Sequence, residues 1–97
     1  NIPSNNYKDW HDEKMWEIKK YKPIKPIEKA YITVTFYASN SRKFDLSNKF
    51  ESIADLLVDS GVILDDNYEV LQSVYVKFGG VDKKNPRAEI EISPIDV

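Results

Sequence analysis

The sequence predicts an α+β domain: a small mixed or antiparallel sheet of three to four strands, a central helix packed on it, and a short N-terminal helix. Three observations carry that prediction. "YITVTFY" at 31–37 alternates strictly, with Ile32, Val34 and Phe36 on one face and Tyr31, Thr33, Thr35 and Tyr37 on the other. "DLSNKFESIADLLVDSG" at 45–61 puts Leu46, Phe50, Ile53, Ala54 and Leu57 on one side at about 100° per residue. "VLQSVYVKF" at 70–78 and "RAEIEI" at 87–92 alternate as two further strands.

Taken in order, "YKDWHDEKMWEIKK" at 7–20 spaces Tyr7, Trp10, Lys14 or Met15, and Ile18 as an amphipathic helix, with Asn5 or Asn6 as its cap. The prolines of "KPIKPIEK" end that helix and make an extended connector into the first strand. Gly61 supplies the stop of the central helix, and "VIL" at 62–64 is a short strand running back past it. "GGVDKKNP" reads as the turn of a hairpin that joins the last two strands as an antiparallel pair with one covered face.

At 97 residues the chain is one domain, 1–97, with a single modest core. It has no cysteine, which excludes disulfides and thiolate metal sites, and its one histidine, His11, argues against a transition-metal centre and for a surface role. No apolar run has the length of a membrane span and the N-terminus is not signal-like, so the expectation is a cytoplasmic protein with no membrane partner. No nucleophile elbow or glycine-rich phosphate loop is present. Charge is segregated along the chain. Between Lys14 and Lys29 six lysines face two glutamates, whereas between Asp45 and Glu69 seven acids face Lys49 alone. A nuclease uses both signs, lysines for phosphates and carboxylates for a cation.

The carboxylates are the candidate chemistry. Asp45 stands at the start of the central helix, Glu51 and Asp55 lie one turn apart on its polar face, and Asp65–Asp66 end the short strand that follows. A chain reversal at Gly61 would return Asp66 toward Asp45. Two carboxylates about 6 Å apart at an effective dielectric of about 20 repel by roughly 3 kcal/mol, a sign that a divalent cation reverses. Hard oxygen ligands suit Mg²⁺ or Mn²⁺. Each acid also has a plainer use: Asp45 as a helix cap, Glu51 and Asp55 as a solvated face, Asp65–Asp66–Asn67 as a turn.

Several of these segments together resemble the RusA family of Holliday junction resolvases, phage-derived endonucleases that cut four-way DNA junctions. "IPSNN" at 2–6 resembles the family's Pro-Ser-Asn-Asn segment, which there follows a first strand. "RKFDLSN" at 42–48 resembles its basic lead-in to an Asp-x-Asp-Asn motif, and "DLLVDSGVILDD" at 55–66 its Asp-x-Leu, Gly-Val and Asp-Asp pattern. Lys77 and "AEIEI" also fit. The resemblance implies Mg²⁺-dependent hydrolysis of branched DNA by a homodimer in a bacterial cell, phage or prophage encoded. It makes Asp45 and Asp66 the metal-binding catalytic aspartates and Asn48 the motif asparagine, with Asp65, Glu51 and Asp55 supporting them. Arg42, Lys43 and Lys49 would contact phosphates beside the site, within a wider footprint of the 14–29 lysines.

Two positions depart from the pattern. Ser47 replaces the second motif aspartate, and Glu51 replaces a functional lysine. Loss of one acid and gain of another a helical turn later resembles a phage-type variant. It also leaves open an alternative, a junction-binding protein of the same fold that no longer cuts. A dimeric module without a nucleic-acid role is a third reading, with Trp10, Trp16, Tyr31 and Tyr37 as candidate interface or core aromatics.

Overall fold

The computed structural model describes residues 5–96, with side-chain surroundings from Lys8 onward. Its elements run α1 (Asn5–Lys19), β1 (Ala30–Ala38), α2 (Leu46–Asp59), β2 (Leu71–Val81) and β3 (Arg87–Pro94). The expected caps at Asn5 and Asn6, and residues 2–4 of "IPSNN", lie outside the described side chains.

The α+β class stands, and the sheet is mixed. Its order is β2-β1-β3, with β1 parallel to β2 and antiparallel to β3. The expected β2–β3 hairpin is therefore corrected: the two strands run in opposite directions, but β1 lies between them. Gly79 and Gly80, read as its turn, sit inside β2 at a register shift, where Phe36 pairs with Phe78 and Tyr37 with Gly80. The chain leaves β2 only at Asp82, whose N–H donates to Ala38 O at 2.8 Å as the loop crosses the end of β1. Alternation in sequence reports which face a residue occupies; it does not report which strand is the neighbour.

β1 is central because both its edges are paired and its inward residues are the most buried: Ala30, Ile32 and Val34 are at most 2% exposed. α2 packs on that face through Ile53 and Leu57, with Leu46 and Phe50 partly buried beside them, and Ala54 and Leu56 are buried on the same helix. The helix ends in a Schellman arrangement. Gly61, at φ 81°, lets its N–H reach Val58 O and that of Val62 reach Leu57 O, both at 3.0 Å. Val62 and Leu57 then join the same core. The expected short strand is a single parallel bridge between Ile27 and Ile63, held by Ile27 N–H to Val62 O at 2.9 Å and Leu64 N–H to Ile27 O at 3.0 Å.

α1 is fixed to α2 partly through His11, whose Nε2 lies 2.9 Å from Asp59 Oδ2 and whose side chain is 14% exposed. The surface role expected of His11 is thus corrected to an interhelical one. On the sheet's other face, Gly79 lies under the Tyr37 ring. A Cβ at Gly79 would come within 2.6 Å of that ring and 2.8 Å of Thr35 Cγ2. Tyr37 is held from the outside by the Arg87 guanidinium, 4.0 Å from its centroid. Gly79→Ala is therefore expected to cost about 1–3 kcal/mol by overpacking, read as a lower midpoint in urea denaturation.

Candidate functional site

α2 organises the candidate site, with a basic groove on one flank and carboxylates on another. The groove has a volume of about 1010 Å³. Phe36, Ile53, Leu56 and Ile90 make its apolar floor, Trp10 and Phe44 its aromatic walls, and Lys14, Arg42, Lys43, Lys49 and Arg87 its cationic lining. Phe44 is fixed edge-on to Phe36 and Phe78, and Lys49 Nζ stands 5.6 Å from its ring centroid.

The cations differ in how far they are already compensated. Arg87 donates through Nη1 to Asp82 and through Nε to Glu89, each at 2.9 Å, and holds the Asp82 carboxyl below its usual range. Lys14 pairs with Glu17 at 3.2 Å. Arg42 and Lys43 are exposed on the segment leading into α2 and have no acidic partner within ion-pair distance among the described residues. Three residues assigned to phosphate contact from sequence, Arg42, Lys43 and Lys49, thus share one groove. Asn48, assigned with them, is exposed but does not line it. Arg87 was not expected there, because its place depends on β3 lying beside β1.

The acids are distributed differently from the sequence expectation. Asp45 is the N-cap of α2: its Oδ1 accepts the Ser47 N–H at 2.8 Å. Glu51 and Asp55 are exposed one turn apart. Asp65, Asp66 and Asn67 build a turn in which Asp65 accepts the Asp66 N–H at 2.7 Å through Oδ1 and the Asn67 Nδ2 at 3.1 Å through Oδ2. Asn67 Oδ1 in turn accepts the Glu69 N–H at 2.9 Å.

Asp66 is exposed overall, yet its carboxyl is pushed above the usual range. Lost hydration is the largest cause, followed by a hydrogen bond with Asp65 and the charges of Asp65 and Asp55. The fold therefore sets Asp65 and Asp66 in one turn, on which the charge of Asp55 is the smallest of the named influences. Asp45 stands ten residues before Asp55, about 15 Å along the axis of α2, so it belongs to the other end of the helix.

Among the described residues, no group of three or more His, Cys, Asp or Glu is placed to hold a metal ion. An all-protein cage is thus not the fit. Mg²⁺ is commonly held by one or two carboxylates with waters and substrate phosphates, the mode that adjacent carboxylates such as Asp65 and Asp66 would use.

No protein-family model matches the chain, and no curated protein matches it. No helix is long and apolar enough to cross a membrane among the described residues.

Proposed function

We propose that the chain is a RusA-like, divalent-cation-dependent endonuclease acting on branched DNA. The observation that carries this reading is the Asp65–Asp66 turn, in the segment that resembles the family's terminal Asp-Asp, where lost hydration and then the adjacent Asp65 raise the Asp66 carboxyl. Asp66 with Asp65 would hold Mg²⁺ or Mn²⁺, and Asp55 would add to the field that attracts it. The ion's chemistry is to polarise a phosphodiester and activate water. Arg42, Lys43 and Lys49 would hold a neighbouring stretch of backbone in the groove. Lys49 and Asp55 are six residues apart, about 9 Å of helix rise. That is under three base-pair steps at about 3.4 Å per step along one strand, and the two side chains project about 120° apart round the helix, so the DNA would have to bend round α2 to meet both surfaces. The resemblance adds a homodimer, with one such site per protomer.

A second reading, binding without cutting, is favoured by one observation: Asp45, the motif's first aspartate, is engaged as a cap far from Asp66. A synthetic four-way junction with and without Mg²⁺ or Mn²⁺ separates the two. Metal-dependent nicking supports the first; binding with no nicking under either metal supports the second. Absence of salt-sensitive binding overturns both.

If the groove contacts phosphates, Lys43→Ala should weaken junction binding across DNA sequences. It should also reduce the slope of log K against log salt by about 0.9, measured by fluorescence anisotropy between low and moderate salt.

A further inference from the structure

Phosphate contact alone does not account for the groove beside α2. Phosphates need cations, and Arg42 and Lys43 supply two that no acid compensates among the described residues. Glu17, the acid of the lining, is paired with Lys14 at 3.2 Å, so the uncompensated charge is positive. Yet the surface between the cations is apolar. The sheet gives it Phe36, Ala88 and Ile90, α2 gives Ile53 and Leu56, and α1 gives Trp10. Ala88 and Ile90 are only partly covered by the rest of the fold. The groove's volume of about 1010 Å³ lies at the top of the roughly 300–1,000 Å³ of sites that enclose a small ligand.

An apolar floor does nothing for a phosphate ester, whereas a flat ring of a base gains from it. In paired DNA both faces of each base are covered by its neighbours. The ligand that uses cations and floor together is therefore an unpaired nucleotide.

We propose that the groove takes an unpaired nucleotide of a DNA strand, its base on the apolar floor beside Trp10 and its flanking phosphates on Arg42 and Lys43. The loop that carries both cations is pinned on either side of them. The Arg42 N–H donates to Asn40 Oδ1 at 2.9 Å, and Phe44 stands edge-on to Phe36 and Phe78. This use of the groove rests on the DNA-binding part of the reading above and not on cutting. It narrows the substrate to branched DNA with unpaired nucleotides at the branch, in preference to fully paired arms.

Trp10 can report on its own groove. Trp16 is 74% exposed, and Trp16→Phe leaves Trp10 the only tryptophan. Oligothymidylate should quench its emission and bind at least about tenfold tighter than a blunt duplex of equal charge at the same salt. A strand of abasic residues, with the same phosphates and no bases, should bind as the duplex does. Ala88→Leu fills the floor and keeps every cation. It should cost about tenfold in oligothymidylate affinity, within what one stacked base contributes, and leave the abasic strand unaffected. Trp10→Leu should act in the same way and Trp10→Phe should restore binding, each with an unchanged circular dichroism spectrum. Free thymidine monophosphate should bind at least about a hundredfold more weakly than the oligomer, because it lacks the linked phosphates.

Equal affinity for the abasic and thymine strands, or unchanged Trp10 emission on binding, overturns the proposal. So does polyglutamate competing as well as oligothymidylate, which would make the groove a seat for an acidic protein segment. Thymidine monophosphate binding as tightly as the oligomer overturns the assignment to a strand. If any of these is found while a fully paired junction still binds with steep salt dependence, only the base-binding role fails and the reading above stands.

Discussion

Asp66→Asn is expected to lower metal-dependent junction cleavage by more than about a hundredfold while leaving junction binding intact or tighter. Disturbing residues that merely orient a metal's ligands already costs about 10–100-fold, so removing a ligand charge should exceed that range. Binding should survive because the cationic groove is a separate surface, and losing a negative charge reduces repulsion of phosphate.

The same substitution should act on stability in the opposite direction. The Asp66 carboxyl is raised above its ordinary 3.8 by lost hydration, Asp65 and Asp55. Its contribution to folding is therefore fully present below that value and is lost as pH rises through the higher folded value. Asparagine removes the loss, so Asp66→Asn should melt slightly above the parent at neutral pH and level with it at the acid end. A side chain that lowers stability where it sits, yet is needed for activity, is the pattern of a functional site. A variant that melts lower at neutral pH, or still cuts at the parental rate, would refute this assignment.

Asp45 offers the contrast. Asparagine caps a helix as well as aspartate, whereas alanine costs typically about 1 kcal/mol. Asp45→Asn should keep the parental melting temperature, and Asp45→Ala should lower it. If Asp45 serves α2 and not the ion, Asp45→Asn should also reduce cleavage far less than Asp66→Asn. Equal losses would instead place Asp45 at the metal, in an arrangement formed only with DNA bound.

These acids mark how far sequence reading reaches. β1 and α2 were legible because their apolar periods, two and 3.6, are unbroken and each has one covered face. Gly61 was legible because the helix stop requires φ of 81°. Leu56 escaped the predicted core face, although it is 1% exposed. It looks toward the groove and the inner side of α1, so the buried arc of α2 is wider than one sheet-facing stripe.

Non-local facts were not legible. Insertion of β1 between β2 and β3 depends on the crossover through α2, a choice of neighbour that alternation does not encode. It brings Ala88 and Ile90 of β3 into the groove. The expected return of Asp66 to Asp45 overestimated what a short segment can span. Ile63 is tied to Ile27, and the turn at Asp65–Asn67 leads into β2 beside the first residue of β1, whereas α2 starts only after the last residue of β1. The grouping of Arg42, Lys43 and Lys49 was legible because it needs only one lead-in and one turn of the same helix.

Leu56→Ala should have a large effect on stability. The side chain is among the largest fully buried ones and belongs both to the packing of α2 and to the groove floor. Truncating a buried leucine costs about 2–5 kcal/mol, depending on how far the site collapses. A domain of this size typically has about 5–15 kcal/mol in total. At about 4–8 °C per kcal/mol, the melting temperature should fall by roughly 8–40 °C. Because one side of Leu56 borders an open groove, water can partly fill the space left there, which favours the lower half of that range. A groove that exists to admit a ligand thus lessens the cost of damage at its own floor. A deeply enclosed position without such relief, Ile32 on the central strand, should therefore be hit harder by the same truncation. Thermal melts of Leu56→Ala and Ile32→Ala side by side test this: a larger loss for Leu56 would mean that the groove is closed in solution.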